Sequence, residues 1–325
     1  MDNVKEDVKF KSVLNEASKK KAREELNELN ESDRAIAVQT FRKWILDQDY
    51  IRTPTDFGFL LRYLRVRKFS QLGARQTLEN YWTSKTSTPE WFKDVDPSDP
   101  GIQVILRSGY VMSPKLYDSN GRRLVFDRPG RLDADTVKRA GGIATVFKTI
   151  CMFVDWVNTD ENIQVNGIQV FADLSNVTLS SVTTLWTAEN GKRLMHFYQN
   201  SAPSRIKQVH FYSEPVFFDA VFALMKPLIK QKMRDRLFLH GNSMVNVYKE
   251  IEKCILPDEY LPDDYNGPSA GPESKIIDDM IAEMTQPAFS DYIKKLSSGE
   301  YGIDFDKKKT FDGAPSESFR KLNVD

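Results

Sequence analysis

The stretch from Val216 to Ile229 constrains this chain more than any other. Val216, Phe217, Phe218, Ala220, Val221, Phe222, Ala223, Leu224, Met225, Leu228 and Ile229 put apolar groups around nearly the whole circumference of a helix. Burial of one face cannot satisfy such a helix. Each large side chain gains roughly 1.5 to 3 kcal/mol on leaving water, so exposing half of them costs as much as the roughly 5 to 15 kcal/mol that stabilises a domain. Two arrangements meet the requirement. One is a helix buried in the core; the other is a lid over a lipid-sized cavity, with ligand or membrane as the second apolar partner. A bilayer span is not expected, because Asp219 and Lys226 interrupt the segment and it falls short of about 20 apolar residues.

Charge sharpens the choice. The chain carries 46 basic and 46 acidic residues, so no global field draws it to nucleic acid or to an anionic membrane. Any such affinity must be local. Arg205 and Lys207 precede the greasy helix, and Lys230, Lys232, Arg234 and Arg236 follow it. Arg62, Arg65, Arg67 and Lys68 form a second cluster at helical spacing. A solvated helix face is the ordinary role for either cluster, but cations flanking an apolar helix in a neutral protein fit phosphate head groups better.

Apolar residues at helical spacing (Val38, Phe41, Ile45; Phe57, Leu60, Leu61, Leu64) predict a helical lobe over residues 1–95, with Ser32 or Asp33 and Thr55 or Asp56 as candidate N-caps. The Pro- and Asp-rich stretch 94–101 reads as a boundary. Beyond it, strands at 122–127, 168–172, 208–212 and 237–240 alternate with helical runs, which predicts an α/β domain over 96–267 with a largely parallel sheet. The tail, 268–325, holds one amphipathic piece at 276–284 and then polar sequence expected to be mobile.

Enzymatic motifs are formal only. Gly267-Pro268-Ser269-Ala270-Gly271 fits the pattern of a hydrolase nucleophile elbow, but no strand precedes Ser269, and His196, His210 and His240 all come before it rather than after. The pair Gly141-Gly142 with Lys148-Thr149 lacks the glycine that a phosphate-binding loop sets directly before its lysine. No dinucleotide or zinc-protease motif occurs, so neither a cofactor nor a metal is expected. Cys151 and Cys254 have no framework spacing and are expected as free thiols. The first 21 residues lack the apolar core of a signal peptide, so a cytoplasmic protein with peripheral membrane association is expected.

Four segments carry a resemblance: Phe59-Leu60-Leu61-Arg62-Tyr63-Leu64-Arg65-Val66-Arg67-Lys68-Phe69, Val209-His210-Phe211-Tyr212-Ser213-Glu214-Pro215, Lys226 through Gly241, and Ile255-Leu256-Pro257-Asp258-Glu259-Tyr260. The sequence over about residues 30–265 resembles the CRAL-TRIO lipid-binding and transfer family, in the branch of the tocopherol- and retinaldehyde-binding carriers. That resemblance implies a three-helix lobe packed on an α/β domain whose interior holds one hydrophobic ligand, with the helix from Pro215 to Lys230 as gate. It implies phosphoinositide contacts at Arg205, Lys207, Lys232 and Arg236, with Arg62 and Arg65 as further candidates. Leu261-Pro262 stand where the relatives have two glycines, and Ala172 where the retinaldehyde binders carry a pocket glutamate.

Phe171, Phe197, Tyr198 and Val209, which lie on the resembling strands and helix, are candidate cavity walls, with Phe217, Phe218, Val221, Phe222, Met225, Leu228 and Ile229 as the lid. The expected protein is a monomeric, non-enzymatic carrier of one hydrophobic small molecule (a tocopherol, retinoid, carotenoid or similar lipid), docking transiently on phosphoinositide membranes and binding no nucleic acid. A phosphoinositide-linked adaptor that recruits a protein partner is the alternative, and an esterase using Ser269 a third.

Overall fold

The computed structural model describes residues 10–185 and 187–313. The first nine residues, part of the segment judged to lack a signal peptide, and the last twelve of the tail lie outside them. The described residues begin with four helices, α1 (Glu16–Leu26), α2 (Glu31–Leu46), α3 (Phe57–Val66) and α4 (Gln71–Ser87). A three-helix lobe was expected, and α1 is the addition. It is held by a small apolar cluster of Leu14, Ala22, Leu26 and Val165, separate from the main core. Asn30, rather than Ser32 or Asp33, caps α2 through a 2.9 Å bond from the Asp33 amide, and Asp56 caps α3 at 2.8 Å from the Phe59 amide.

The second layer is a five-stranded sheet. After a two-stranded pair made by β1 (Ile51–Arg52) with β7 (Gly302–Ile303), the main sheet runs β2 (Val111–Met112), β3 (Arg123–Asp127), β4 (Ile168–Asp173), β5 (Ile206–Tyr212) and β6 (Leu237–Leu239), in that spatial order. β2 is antiparallel to β3, and the remaining pairs are parallel. Parallel neighbours need long crossovers, which here are helical. α5 (Ile143–Val157) and α6 (Glu161–Asn166) lie between β3 and β4, and α7 (Ala188–His196) with a π-helical turn (Phe197–Ser201) lies between β4 and β5. α8 (Phe218–Met225) and a 3-10 turn (Lys226–Leu228) lie between β5 and β6.

Register gives the sheet two distinct faces, because alternate residues point to opposite sides. On one face stand Phe126, Phe171, His210 and Phe238 in a row. On the other stand Val125, Val170, Val209 and Leu237, followed by Asp127, Ala172, Phe211 and Leu239. The main core is continuous from the lobe through the sheet to the tail helices α9 (Glu273–Met284) and α10 (Pro287–Ser297). The tail up to residue 313 is therefore not the mobile segment that its polarity suggests. Ile293 and Leu296 are buried in that core, and Ile303 pairs with Ile51 to tie the tail back to the lobe.

Candidate functional site

α8 sits over the second face of the sheet. Phe218 and Phe222, one turn apart and stacked at 5.5 Å, approach the Phe211 ring at 5.3 and 6.4 Å. Met225, one turn further, rests against Gly191 of α7. Phe217 and Val221 flank this stripe and are half-exposed, whereas Val216 and Leu224 face outward, with Leu224 at 78% exposure. No residue of α8 is buried. The described residues supply no cover for the outer face, for the physical reason already given: a helix apolar on all sides exceeds what one sheet can bury.

The two ends of this segment are fastened. Upstream, Ser213 adopts a left-handed backbone (φ 57°) and its amide bonds the Gly241 carbonyl at 2.8 Å. Downstream, Gln199 accepts from the Lys230 amide at 2.8 Å and donates to the Leu228 carbonyl at 2.9 Å. Ile229 is buried there, and Leu228 half-buried. The helix is thus pinned at both ends while its middle stays unburied.

Not every proposed wall residue lies on this face. Val209 does. Phe171 does not: it is on the opposite side, fully buried against Phe126, Tyr212 and Tyr260. Phe197 is also core, its ring packed against Phe92 and Tyr81 to seat the π-turn on α4. Tyr198 keeps part of its surface free.

The basic residues converge beside the downstream hinge. Arg205 directly precedes β5 and Lys207 is its second residue, and Arg236, just before β6, bonds the Ile206 carbonyl with its guanidinium. Lys232 feels burial first and then the like charges of Arg236, Lys68, Arg205 and Arg67, which hold its pKa below the usual lysine range. Burial and Arg205 depress Lys207 in the same way. The acid among them is Glu25 of α1, whose Oε2 lies 3.3 Å from Arg205 Nη2 and 3.2 Å from Lys207 Nζ. Burial alone would raise the Glu25 pKa, but the Lys207 hydrogen bond and the charges of Lys207, Lys21 and Arg205 bring it down.

The two earlier arginines are elsewhere. Arg65 is wholly buried, paired with Glu28 at 2.8 Å and Glu161 at 2.9 Å and donating to Gln164 at 3.0 Å. Arg62 lies over the Phe59 ring at 4.8 Å and donates to the Tyr292 hydroxyl at 3.0 Å, clamping α10 to α3. Both hold the fold together, and neither is open to a phosphate. Helical spacing identified the cluster but not which members faced out. Arg67 and Lys68, at the frayed end of α3, are the members that join the patch, with Lys68 at φ 51° and exposed.

Ser269 lies in a loop and bonds Asp258, with no strand before it. His210 and His240 hydrogen-bond each other at 3.0 Å, and burial, then the neighbouring His240 and Arg122, push His210 down to about 3, so it stays neutral as a structural imidazole. Among the described residues no His, Cys, Asp or Glu group could hold a metal, and no helix is long and apolar enough to cross a membrane. Cys151 and Cys254 are free.

The CRAL/TRIO domain family matches residues 107–262, and the Pinta-like UBA domain family matches residues 30–102. The chain is 35% identical to the mouse (Mus musculus) alpha-tocopherol transfer protein-like over 241 residues, 74% of this chain and 68% of that one. It is 30% identical to clavesin-1 of Xenopus laevis over 250 residues, 76% of this chain and 73% of that one. Clavesin-2 of Homo sapiens is 30% identical over 243 residues, 74% of this chain and 72% of its own length.

Proposed function

The chain belongs to the CRAL/TRIO domain family, and from that premise we propose that it is a non-enzymatic carrier that takes up one hydrophobic small molecule beneath α8 and exchanges it at phosphoinositide-containing membranes. The observation that carries this reading is α8 itself: an apolar helix, hinged at both ends, over an apolar sheet face, with no residue buried. Ligand beneath it and hydrocarbon above it are the two media that its two faces require. The cavity walls are Val209, Tyr198 and the inner stripe Phe218, Phe222 and Met225, with Phe217, Val221, Leu228 and Ile229 completing the lid.

Docking falls to Arg205, Lys207, Lys232 and Arg236, with Arg67 and Lys68 added to the set. Near an anionic leaflet each cation contributes about 1 kcal/mol, so the patch gives transient attachment of a few kcal/mol, suited to a protein that must let go. Mass spectrometry of organic extracts from the natively purified protein tests the carrier reading. A stoichiometric apolar molecule supports it; its absence from protein isolated from several hosts, together with failure to take up any lipid offered, removes it.

A further inference from the structure

The two rows of the sheet nearest α8 are apolar except at one place. Val125, Val170, Val209 and Leu237, then Ala172, Phe211 and Leu239, lie side by side, and Asp127 completes the second row at the end of β3. Strands repeat at about 4.8 Å, so the Asp127 backbone stands two strands, or about 10 Å, from that of Phe211, whose ring meets α8. That span is shorter than an ordinary lipid, so one ligand reaches both.

The Asp127 Oδ1 atom is out of contact with solvent and has no hydrogen-bond partner. An unpaired buried oxygen costs about 1 to 3 kcal/mol, more when charged, and chains keep few of them. Around it stand the buried Tyr110, whose hydroxyl lies near the carboxyl, and Tyr198. Burial pushes the Asp127 carboxyl up to about 6 and the Tyr110 hydroxyl draws it partly back, so the ionised, acceptor-only form prevails just above neutrality.

Resting on the carrier reading, we infer that Asp127, with Tyr110 and Tyr198 beside it, is the polar anchor of the ligand site, and that it selects an apolar molecule bearing a hydroxyl head. The free oxygen needs a donor, which an alcohol or phenol supplies. Ethers and esters have none to give, and a fatty acid would bring a second carboxylate against the first.

The test compares wild-type protein with Asp127→Leu and Asp127→Asn, using pyrene-labelled dodecanol, its methyl ether and pyrenedodecanoic acid as fluorescent probes at pH 7.5, a value about 1.5 units above the midpoint. Wild type is expected to bind the alcohol about tenfold more tightly than the ether, the discrimination that about 1.4 kcal/mol gives, with the acid weakest. Asp127→Leu should bind alcohol and ether alike with undiminished ether affinity, and Asp127→Asn, whose amide oxygen still accepts, should keep part of the preference. Equal binding of alcohol and ether by wild type, a preference that survives in Asp127→Leu, or tightest binding of the acid would each overturn the anchor while leaving the carrier standing. Failure of wild type to bind any of the three would bring down the carrier and the anchor together.

Discussion

Glu25 lies 3.2 Å from Lys207, so α1 supplies a carboxylate to the basic patch. A phosphate approaching Arg205 and Lys207 must compete with that acid. Glu25→Gln should therefore strengthen binding to phosphoinositide vesicles, by roughly 0.5 to 1 kcal/mol given that the pair is partly exposed. Vesicle co-sedimentation reads the change, and weaker binding of the variant would show that Glu25 shapes the patch rather than blocks it.

Lys232→Ala combined with Arg236→Ala removes about 2 kcal/mol of membrane attraction. Vesicle binding and the rate of transfer should fall by more than tenfold, while affinity for a soluble apolar probe stays the same. Salt should reproduce the loss, because exposed charges are screened over about 8 Å at physiological ionic strength. Equal flotation of both proteins at moderate salt would remove the docking role.

Phe222 stacks on Phe218 and faces Phe211. Phe222→Asp places a carboxylate on the inner face of the lid, where an unpaired charge is strongly disfavoured against an apolar ligand. Probe affinity should fall at least tenfold with little change in thermal unfolding, since α8 has no buried residue to lose. Unchanged affinity in a folded variant would show that α8 is not the lid.

Arg65 and Lys68 sit three residues apart and should fail in different ways. Arg65→Ala removes the buried cation between Glu28 and Glu161, leaving Glu28 with Arg34 and Glu161 with the Ser12 and Val13 donors, and should cost about 3 kcal/mol of stability, the lower end for a broken buried pair. Lys68→Ala should leave urea unfolding unchanged and weaken vesicle binding. The reverse pattern would return Arg65 to the docking surface.

Asp127 gives a pH signature independent of any ligand. Its carboxyl ionises at about 6 in the fold, against about 3.9 for an unperturbed aspartate, so the unfolded chain ionises first as pH rises. The native state thus loses stability between about pH 4 and 6 and keeps that deficit above it, roughly 3 kcal/mol relative to a neutral side chain. Asp127→Asn should be more stable than wild type at pH 7.5 by an amount of that order, converging with it below pH 4. Parallel denaturation curves at both pH values would show that the carboxyl is not shifted.

Much of the architecture was legible in local pattern. The alternation of short apolar runs with helical spacing predicted the parallel sheet, and the strand positions fell within a few residues. The circumferential apolarity of residues 216–229 singled out the helix that stays unburied, and cations from both sides of it gather in one patch. What pattern missed were assignments to a face. Phe171 and Phe211 are both apolar residues on neighbouring strands, and only register puts Phe211 under α8 and Phe171 behind the sheet. Asp127, an acid ending an apolar strand, reads in the sequence as an ordinary strand terminus.

Sequence alone determined what each segment must do with water, because hydropathy and spacing are local properties that fix which surfaces cannot stay wet. The tertiary structure decided which charges are left free. Arg65 and Lys68 carry the same formal charge in the same short run, yet one is neutralised by Glu28 and Glu161 brought from distant parts of the chain and the other opens onto Lys232 and Arg205. Coulomb energy depends on separation in space and on the burial of both partners, and neither quantity is written in the order of residues.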